Sequence, residues 1–151
     1  MHPAEQKVHD DVRAYGWHVI KVADGEPEFA YTIGLHRTFG HPELIVFGLP
    51  VDAVAHPVLN ALGEEVRAGR RFAPGATSDA ALEGYDVTFR PVPRDAYRSF
   101  VGFARWFYGG DDFPVLQVVY PDRTGRYPWE DGVAEGFRAV QPVLADGPER
   151  P

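Results

Sequence analysis

Two apolar runs of strand length, residues 29–35 and 43–49, flank a polar turn in the first third of the chain. The first run alternates, and its second face carries only the small residues Ala30, Thr32 and Gly34. The second run is almost continuously apolar. Alternation is typical of a strand with two different faces, and a continuous apolar run is typical of a strand buried on both faces. The chain must therefore build a sheet around a buried central strand.

Similar patterns predict the remaining elements. Helices are predicted at residues 4–15, 52–68 and 96–108, strands at 17–23, 85–92 and 113–120, and a weaker helical pattern covers 133–144. Residues 70–84 show no clear period and predict a loop, with short edge-strand character at Arg71–Phe72. Because short turns join most neighbouring strands, the predicted fold class is α+β: a single twisted, mostly antiparallel sheet with about three helices packed on it.

Length and composition narrow the class of protein. With 151 residues, we expect a single globular α+β domain over 1–145 and a disordered C-terminal tail over 146–151. A net charge of −7 disfavours nucleic-acid binding. No apolar run approaches the roughly 20 residues that span a bilayer, so no membrane association is expected. The chain is cysteine-free, which excludes thiolate chemistry.

The N-terminal residues lack the basic start and apolar stretch of a signal peptide, which favours a cytoplasmic location. Thirteen Arg against two Lys favour a GC-rich bacterial genome.

The first polar turn holds the candidate catalytic residues His36 and His41. Together with Glu43 they resemble a two-His, one-carboxylate metal set, but their spacing matches no established zinc pattern, so no metal site is predicted. A structural alternative is open, in which the imidazoles bond backbone carbonyls and Glu43 accepts turn amides. Tyr31, Thr32 and Glu43 are candidate ligand-binding residues, and a core position is the alternative for Tyr31.

A second polar turn follows the strand at 113–120. Asp122 is a candidate general base or a residue that orients a histidine, with a turn-forming role as the alternative. Arg126 offers a planar fork for a carboxylate or phosphate, and Trp129 offers an aromatic wall. Gln117 lies alone inside an apolar strand, so its amide is predicted to bond a neighbouring strand end or to point into a pocket.

Two motifs carry a resemblance to a known family. They are FAYTIGLHRTFGHPELIVFGL, which begins at Phe29, and FPVLQVVYPDRTGRYPW, which ends at Trp129. The early match runs through Tyr31, Thr32, Gly34, Leu35, His41, Pro42, Glu43 and Gly48, and the late match through Gln117, Pro121, Asp122, Gly125, Pro128 and Trp129. The chain resembles the bacterial family called domain of unknown function 4262 over about Val8 to Gly132. The resemblance implies one intact domain and no particular activity.

We expect the two turns to meet at one pocket that binds a small molecule or a peptide segment, with acid–base catalysis by His36 or His41 and Asp122 as one option. One alternative is a non-catalytic protein-interaction or regulatory module, of the immunity or accessory type, that uses the Asp-rich turn at Asp111 and Asp112. A weaker alternative is a flavin- or metal-dependent enzyme. The sequence fixes neither a cofactor nor an oligomeric state.

Overall fold

One six-stranded sheet organises residues 2–145, the part of the chain that the computed structural model describes. Its strands are β1 (His18–Val22), β2 (Phe29–Ile33), β3 (Glu43–Phe47), β4 (Thr77–Leu82), β5 (Tyr85–Pro91) and β6 (Val115–Val119). The spatial order is β1-β2-β3-β6-β5-β4. Every neighbouring pair is antiparallel except β3 and β6, which run parallel. The predicted mostly antiparallel sheet is therefore confirmed.

The described residues contain six α-helices, more than the three that were expected. They are α1 (Pro3–Tyr15), α2 (Leu35–Phe39), α3 (His56–Arg67), α4 (Tyr97–Phe100), α5 (Gly102–Tyr108) and α6 (Glu135–Val140). A π-helical turn, Val51–Ala55, leads into α3, and a 3₁₀ turn, Arg94–Ala96, leads into α4. The helix predicted at 96–108 is interrupted at Val101, whose φ of −121° and ψ of 44° are not helical.

Helices cover both faces of the sheet. The stripe Val58, Leu59, Leu62 and Val66 of α3 packs on one face, while apolar residues of α1, α4 and α5 pack on the other. All five residues of β3 are buried, as its continuous apolar run predicts, because both of its faces are covered.

Two elements differ from the prediction. Strand β4 (Thr77–Leu82) lies in the segment predicted as a loop, and the expected strand character at Arg71–Phe72 is absent. Because β4 is an edge strand with mostly exposed or half-exposed side chains, it carries no strong apolar pattern. Helix α2 lies in the predicted polar turn. The prediction for 146–151 concerns residues outside the described range.

Within residues 2–145, no helix combines the length and the apolar character that crossing a membrane requires.

Candidate functional site

The two polar turns lie at opposite ends of the sheet. Residues 36–42 precede β3, whereas Asp122 and Trp129 follow β6. Because β3 and β6 run parallel, with Glu43 opposite Val115, the start of one strand lies beside the start of the other. Five strand residues, at about 3.3 Å each, put about 16 Å between the two ends. The expectation that both turns share one pocket is therefore wrong.

The carboxylate of Glu43 caps α2 from outside the helix. It accepts hydrogen bonds from the backbone N–H groups of residues 34–36 at 2.9–3.2 Å. It also accepts from the hydroxyl of Thr32 at 2.8 Å and from that of Tyr108. The next amide of the helix, Arg37 N–H, donates to the Tyr108 hydroxyl at 3.2 Å. A helix leaves its first N–H groups without helical partners, and here they are satisfied by Glu43 and Tyr108.

The capping carboxylate is fully buried, with Glu43 only 1% exposed. Burial raises the pKa of Glu43, while hydrogen bonds, led by that of Tyr108, oppose the shift. Burial and then the charge of Glu43 raise the pKa of the Tyr108 phenol. Because both carboxylate oxygens already accept several bonds, Glu43 holds the fold together rather than offering a free group to a ligand.

His41 is also committed to backbone contacts. Its Nε2 accepts the N–H of Phe72 at 2.9 Å, so its Nδ1 carries the proton and donates to the carbonyl of Pro42 at 2.8 Å. Beside it, the guanidinium of Arg71 donates to the carbonyls of Phe39 and Gly40, both at 2.8 Å, which caps the C-terminus of α2. The structural alternative considered for His41 matches this geometry.

The remaining early candidates face different surroundings. Tyr31 lies in the core with its hydroxyl accepting the N–H of Phe103 at 3.2 Å, and burial raises the pKa of Tyr31 to about 12. Thr32 is bound to Glu43, as described above. The ring of His36 packs edge-on against Tyr108, with centroids 5.3 Å apart. Its Nδ1 is buried and has no hydrogen-bond partner among residues 2–145.

The late candidates mostly organise the chain around β6. Gln117 is completely buried, and its amide donates to the carbonyl of Pro142 at 2.7 Å and accepts the N–H of Leu144 at 2.9 Å. Asp122 accepts from the amide and hydroxyl of Thr124 and from the amide of Arg126. These bonds, led by that of the Thr124 hydroxyl, lower the pKa of Asp122. Asp122 therefore forms a turn, as its alternative interpretation predicts.

Arg126 and Trp129 remain exposed. The guanidinium of Arg126 lies against Gly132, where an added Cβ would come within 2.3 Å of it. Trp129 is 39% exposed and stacks on Tyr127 with centroids 5.3 Å apart. The Arg90 guanidinium lies 4.0 Å from the Trp129 ring centroid. No late candidate lies beside His36 or His41.

The early turn also lacks the geometry of a metal centre. Among residues 2–145, no three His, Cys, Asp or Glu side chains converge as metal ligands would. The bonds of His41 and Glu43 to the protein explain why the two histidines and this carboxylate do not face one point.

A different group of residues lines a groove of about 430 Å³ around the edge strand β1. Its walls come from α1, β1 and α3, and its lining residues are Lys7, Asp11, Tyr15, Trp17, His18, Val19, Lys21, His56 and Asn60. Lys7, Asp11 and Tyr15 are spaced by four, so they share one face of α1. Because β1 forms the edge of the sheet, the groove reaches residues on both sides of it. We call this the β1 groove.

An aspartate–histidine pair lies in the β1 groove. Oδ2 of Asp11 is 2.6 Å from Nδ1 of His18, and the Lys7 ammonium also binds the carboxylate, at 3.0 Å. Burial raises the pKa of Asp11, but the hydrogen bonds from His18 and Lys7 outweigh it, so this pKa lies below its ordinary value. Asp11 therefore stays ionised at neutral pH. The other ring nitrogen of His18, Nε2, makes no hydrogen bond to the described residues.

Asn60 of α3 and Lys21 of β1 supply hydrogen-bond donors to the groove. Asn60 accepts the indole N–H of Trp17 at 3.0 Å through Oδ1, which leaves its NH₂ group for the groove. Lys21 pairs with Asp52 at 2.6 Å. Burial and then the charge of Lys21 lower the pKa of His56. His56 is therefore uncharged at neutral pH.

Sequence reasoning missed this pair because it treated Asp11 and His18 as parts of separate elements. A usable signal was Gly16, whose φ of 114° ends α1 and reverses the chain into β1. Such a reversal brings the last turn of a helix beside the first residue of the next strand. His56 of α3 lines the same groove.

The geometry defines an α+β domain with helices on both faces of a mixed sheet and a polar groove at one sheet edge. The chain belongs to the family described as Domain of unknown function (DUF4262), whose model matches residues 11–134. No curated protein and no solved structure matches the chain.

Proposed function

We propose that the chain binds a small polar molecule in the β1 groove and transfers a proton to or from it through Nε2 of His18. The observation that supports this proposal is the 2.6 Å contact between Asp11 and Nδ1 of His18. Such a contact keeps the proton on Nδ1, so that a lone pair on Nε2 is available to a bound molecule. The volume of the groove, about 430 Å³, is typical of small-molecule sites.

The residues of the groove fit the two halves of an acid–base step. Nε2 of His18 takes a proton from the ligand or from a water molecule, and the imidazolium that forms is stabilised by the Asp11 carboxylate. The NH₂ group of Asn60 and the ammonium of Lys21 are donors for the negative charge that develops on the ligand. His41 has less support for this role, because both of its nitrogens bond the backbone.

Hydrolysis of p-nitrophenyl acetate tests the proposal with a generic probe. We expect the wild-type protein to release p-nitrophenolate, and His18→Gln to lower the rate by about 100-fold, the scale of general acid–base catalysis. Asp11→Asn should lower the rate by less than His18→Gln does, because the imidazolium loses its partner but the base remains. Diethyl pyrocarbonate labelling, mapped by mass spectrometry, should modify His18 faster in the wild type than in Asp11→Asn.

Asp10→Asn is the matched control, because Asp10 lies next to Asp11 but bonds the exposed side chain of Gln6. It should leave both readouts unchanged. Equal rates for the wild type and His18→Gln, with both variants folded by circular dichroism, would contradict the proposal.

A protein-interaction module is the second candidate. Its proposed acidic contact includes Asp111, whose carboxylate is bound by Arg105 at 2.5 Å, and Asp112, which is exposed. Recovery of one protein partner in a pull-down, lost on charge reversal at Asp112 but kept in His18→Gln, would favour this function over acid–base catalysis.

A further inference from the structure

A second groove, of about 380 Å³, lies between α1, α2 and α5. Its lining residues are His9, Val12, Arg13, Arg37, Thr38 and Phe107. His9 and Arg13 are four residues apart, so they share a face of α1 that differs from the face of Lys7 and Asp11. This α1–α5 groove is therefore separate from the β1 groove, and its volume is again typical of ligand sites.

Basic side chains dominate the α1–α5 groove. Two arginines and a histidine line it, and no carboxylate does. Neither Arg13 nor Arg37 forms an ion pair with a residue in the described range, whereas Arg67, Arg70, Arg105 and Arg138 do. In a chain of net charge −7, this is a local positive field at which a bound anion would be favoured.

The Arg37 guanidinium is held in place by its neighbours. Its Cζ lies 4.4 Å from the centroid of the Phe107 ring. The backbone N–H of Arg37, from which the side chain starts, donates to the Tyr108 hydroxyl. A guanidinium over an aromatic ring keeps its N–H edges free for oxygen acceptors and loses less side-chain entropy when it binds them.

An aromatic rim borders the same groove. The ring of His9 contacts both Phe107 and Trp106, with centroids 5.2 and 5.3 Å apart. Trp106 is 37% exposed and Phe103 is 36% exposed, and their rings lie 6.0 Å apart. An exposed indole beside cationic groups offers a stacking surface for a flat ring.

We propose that the α1–α5 groove binds a small molecule that carries a phosphate or carboxylate group next to an aromatic ring. The oxyanion binds the guanidinium groups of Arg13 and Arg37 through charge-assisted hydrogen bonds. The ring of the ligand packs against Trp106. This site does not depend on the acid–base function proposed for the β1 groove, since no residue lines both.

Isothermal titration calorimetry tests the site with four probes: phenyl phosphate, benzoate, inorganic phosphate and phenol. We expect saturable binding of phenyl phosphate, benzoate or both, weaker binding of inorganic phosphate, and none of phenol. Tighter binding of phenyl phosphate identifies a phosphate ligand, and tighter binding of benzoate identifies a carboxylate. Higher salt should weaken the binding, because charge drives it.

Arg13→Gln and Arg37→Gln should each weaken the better probe by roughly tenfold, since each removes a charge-assisted bond. Arg37→Lys should give an intermediate loss, because it keeps the charge but not the planar fork. Trp106→Ala should weaken the aromatic probes and leave inorganic phosphate unchanged. Arg123→Gln is the matched control, because Arg123 is exposed at the opposite end of the sheet.

The proposal would be overturned if none of the four probes gave saturable heat at concentrations up to about 10 mM, because a dissociation constant above that value is too weak for a functional site. An equal loss in Arg123→Gln and Arg37→Gln would also overturn it, because the attraction would then be a property of the whole surface.

Discussion

Thr32 connects the Glu43 carboxylate to the backbone that follows it: the hydroxyl donates to Oε1 of Glu43 at 2.8 Å and accepts the N–H of Leu44 at 2.9 Å. The threonine thus uses its donor and an acceptor in one buried network. Most polar side chains of the motif at residues 29–49 are therefore bonded within the protein and are not free for a ligand.

Glu43→Gln should lower the free energy of unfolding by about 2–4 kcal/mol, because buried donors lose acceptors and face a new NH₂ group. Rotating the amide does not help, since both oxygens of Glu43 accept N–H bonds. Urea denaturation measures the loss. Glu65→Gln is the control: its partner Arg70 is partly exposed, so a loss below about 1 kcal/mol is expected.

Acidification should destabilise the protein through His41. Burial and then the nearby charge of Arg71 lower the pKa of His41, while the bond to Pro42 opposes the shift. As the pH drops below 6.5, the ordinary pKa of histidine, His41 therefore binds a proton more readily in the unfolded state than in the folded state. The free energy of unfolding falls as the pH drops through this value. Denaturation curves at pH 7.5 and pH 5.5 should show a smaller difference in His41→Gln than in the wild type.

Protonation of His41 also removes the acceptor for the Phe72 amide. Hydrogen exchange of that amide, corrected for its intrinsic pH dependence, should lose protection over the same pH range. An unchanged pH dependence in His41→Gln would show that other groups, such as His56, are responsible.

Gln117→Leu should release the segment Pro142–Leu144 from the sheet, because leucine has a similar size but makes neither of the two side-chain bonds. We expect a loss of about 1–3 kcal/mol, since the Leu144 N–H and Pro142 carbonyl lose their partners. Limited proteolysis should cleave this segment sooner in Gln117→Leu than in the wild type. Gln6→Leu, on the exposed face of α1, should leave the cleavage pattern unchanged.

Gly34→Ala should be among the most destabilising single methyl additions in the chain. An added Cβ would lie 2.6 Å from the carbonyl oxygen of Gly16, at a φ of +122°. Gly40→Ala separates the two causes, because Gly40 has a φ of +65° and open space around it. We expect about 1–2 kcal/mol for Gly40→Ala, the cost of left-handed backbone, and a larger loss for Gly34→Ala. Equal losses would show that the close approach is harmless.

Local sequence patterns were sufficient to predict the elements that carry a clear apolar spacing or a continuous apolar run. The continuous run of β3 predicts its burial, and the apolar spacing before Gly16 predicts α1. Helix α2 was missed because it is only five residues long, and its caps come from Glu43, Tyr108 and Arg71. Two of these lie far from α2 in the sequence, and a local pattern does not contain them.

The site was harder to predict than the fold. The two histidines of the turn at 36–42 and the adjacent Glu43 suggested chemistry, but sequence does not show whether their polar atoms are free or bound to the backbone. The prediction of a shared pocket was wrong because it required Asp122 and His41 to lie at the same end of the sheet. Their separation follows from the parallel pairing of β3 with β6, which no local pattern reveals.

That parallel pair is also the boundary between two sets of antiparallel strands. Strands β1, β2 and β3 form one set of antiparallel neighbours, and β4, β5 and β6 form another. The β3–β6 pairing, which places residue 43 beside residue 115, closes the longest loop of chain among the strand pairings. We expect this junction to form late in folding, so that Ile45→Val accelerates unfolding more than it slows refolding in stopped-flow measurements.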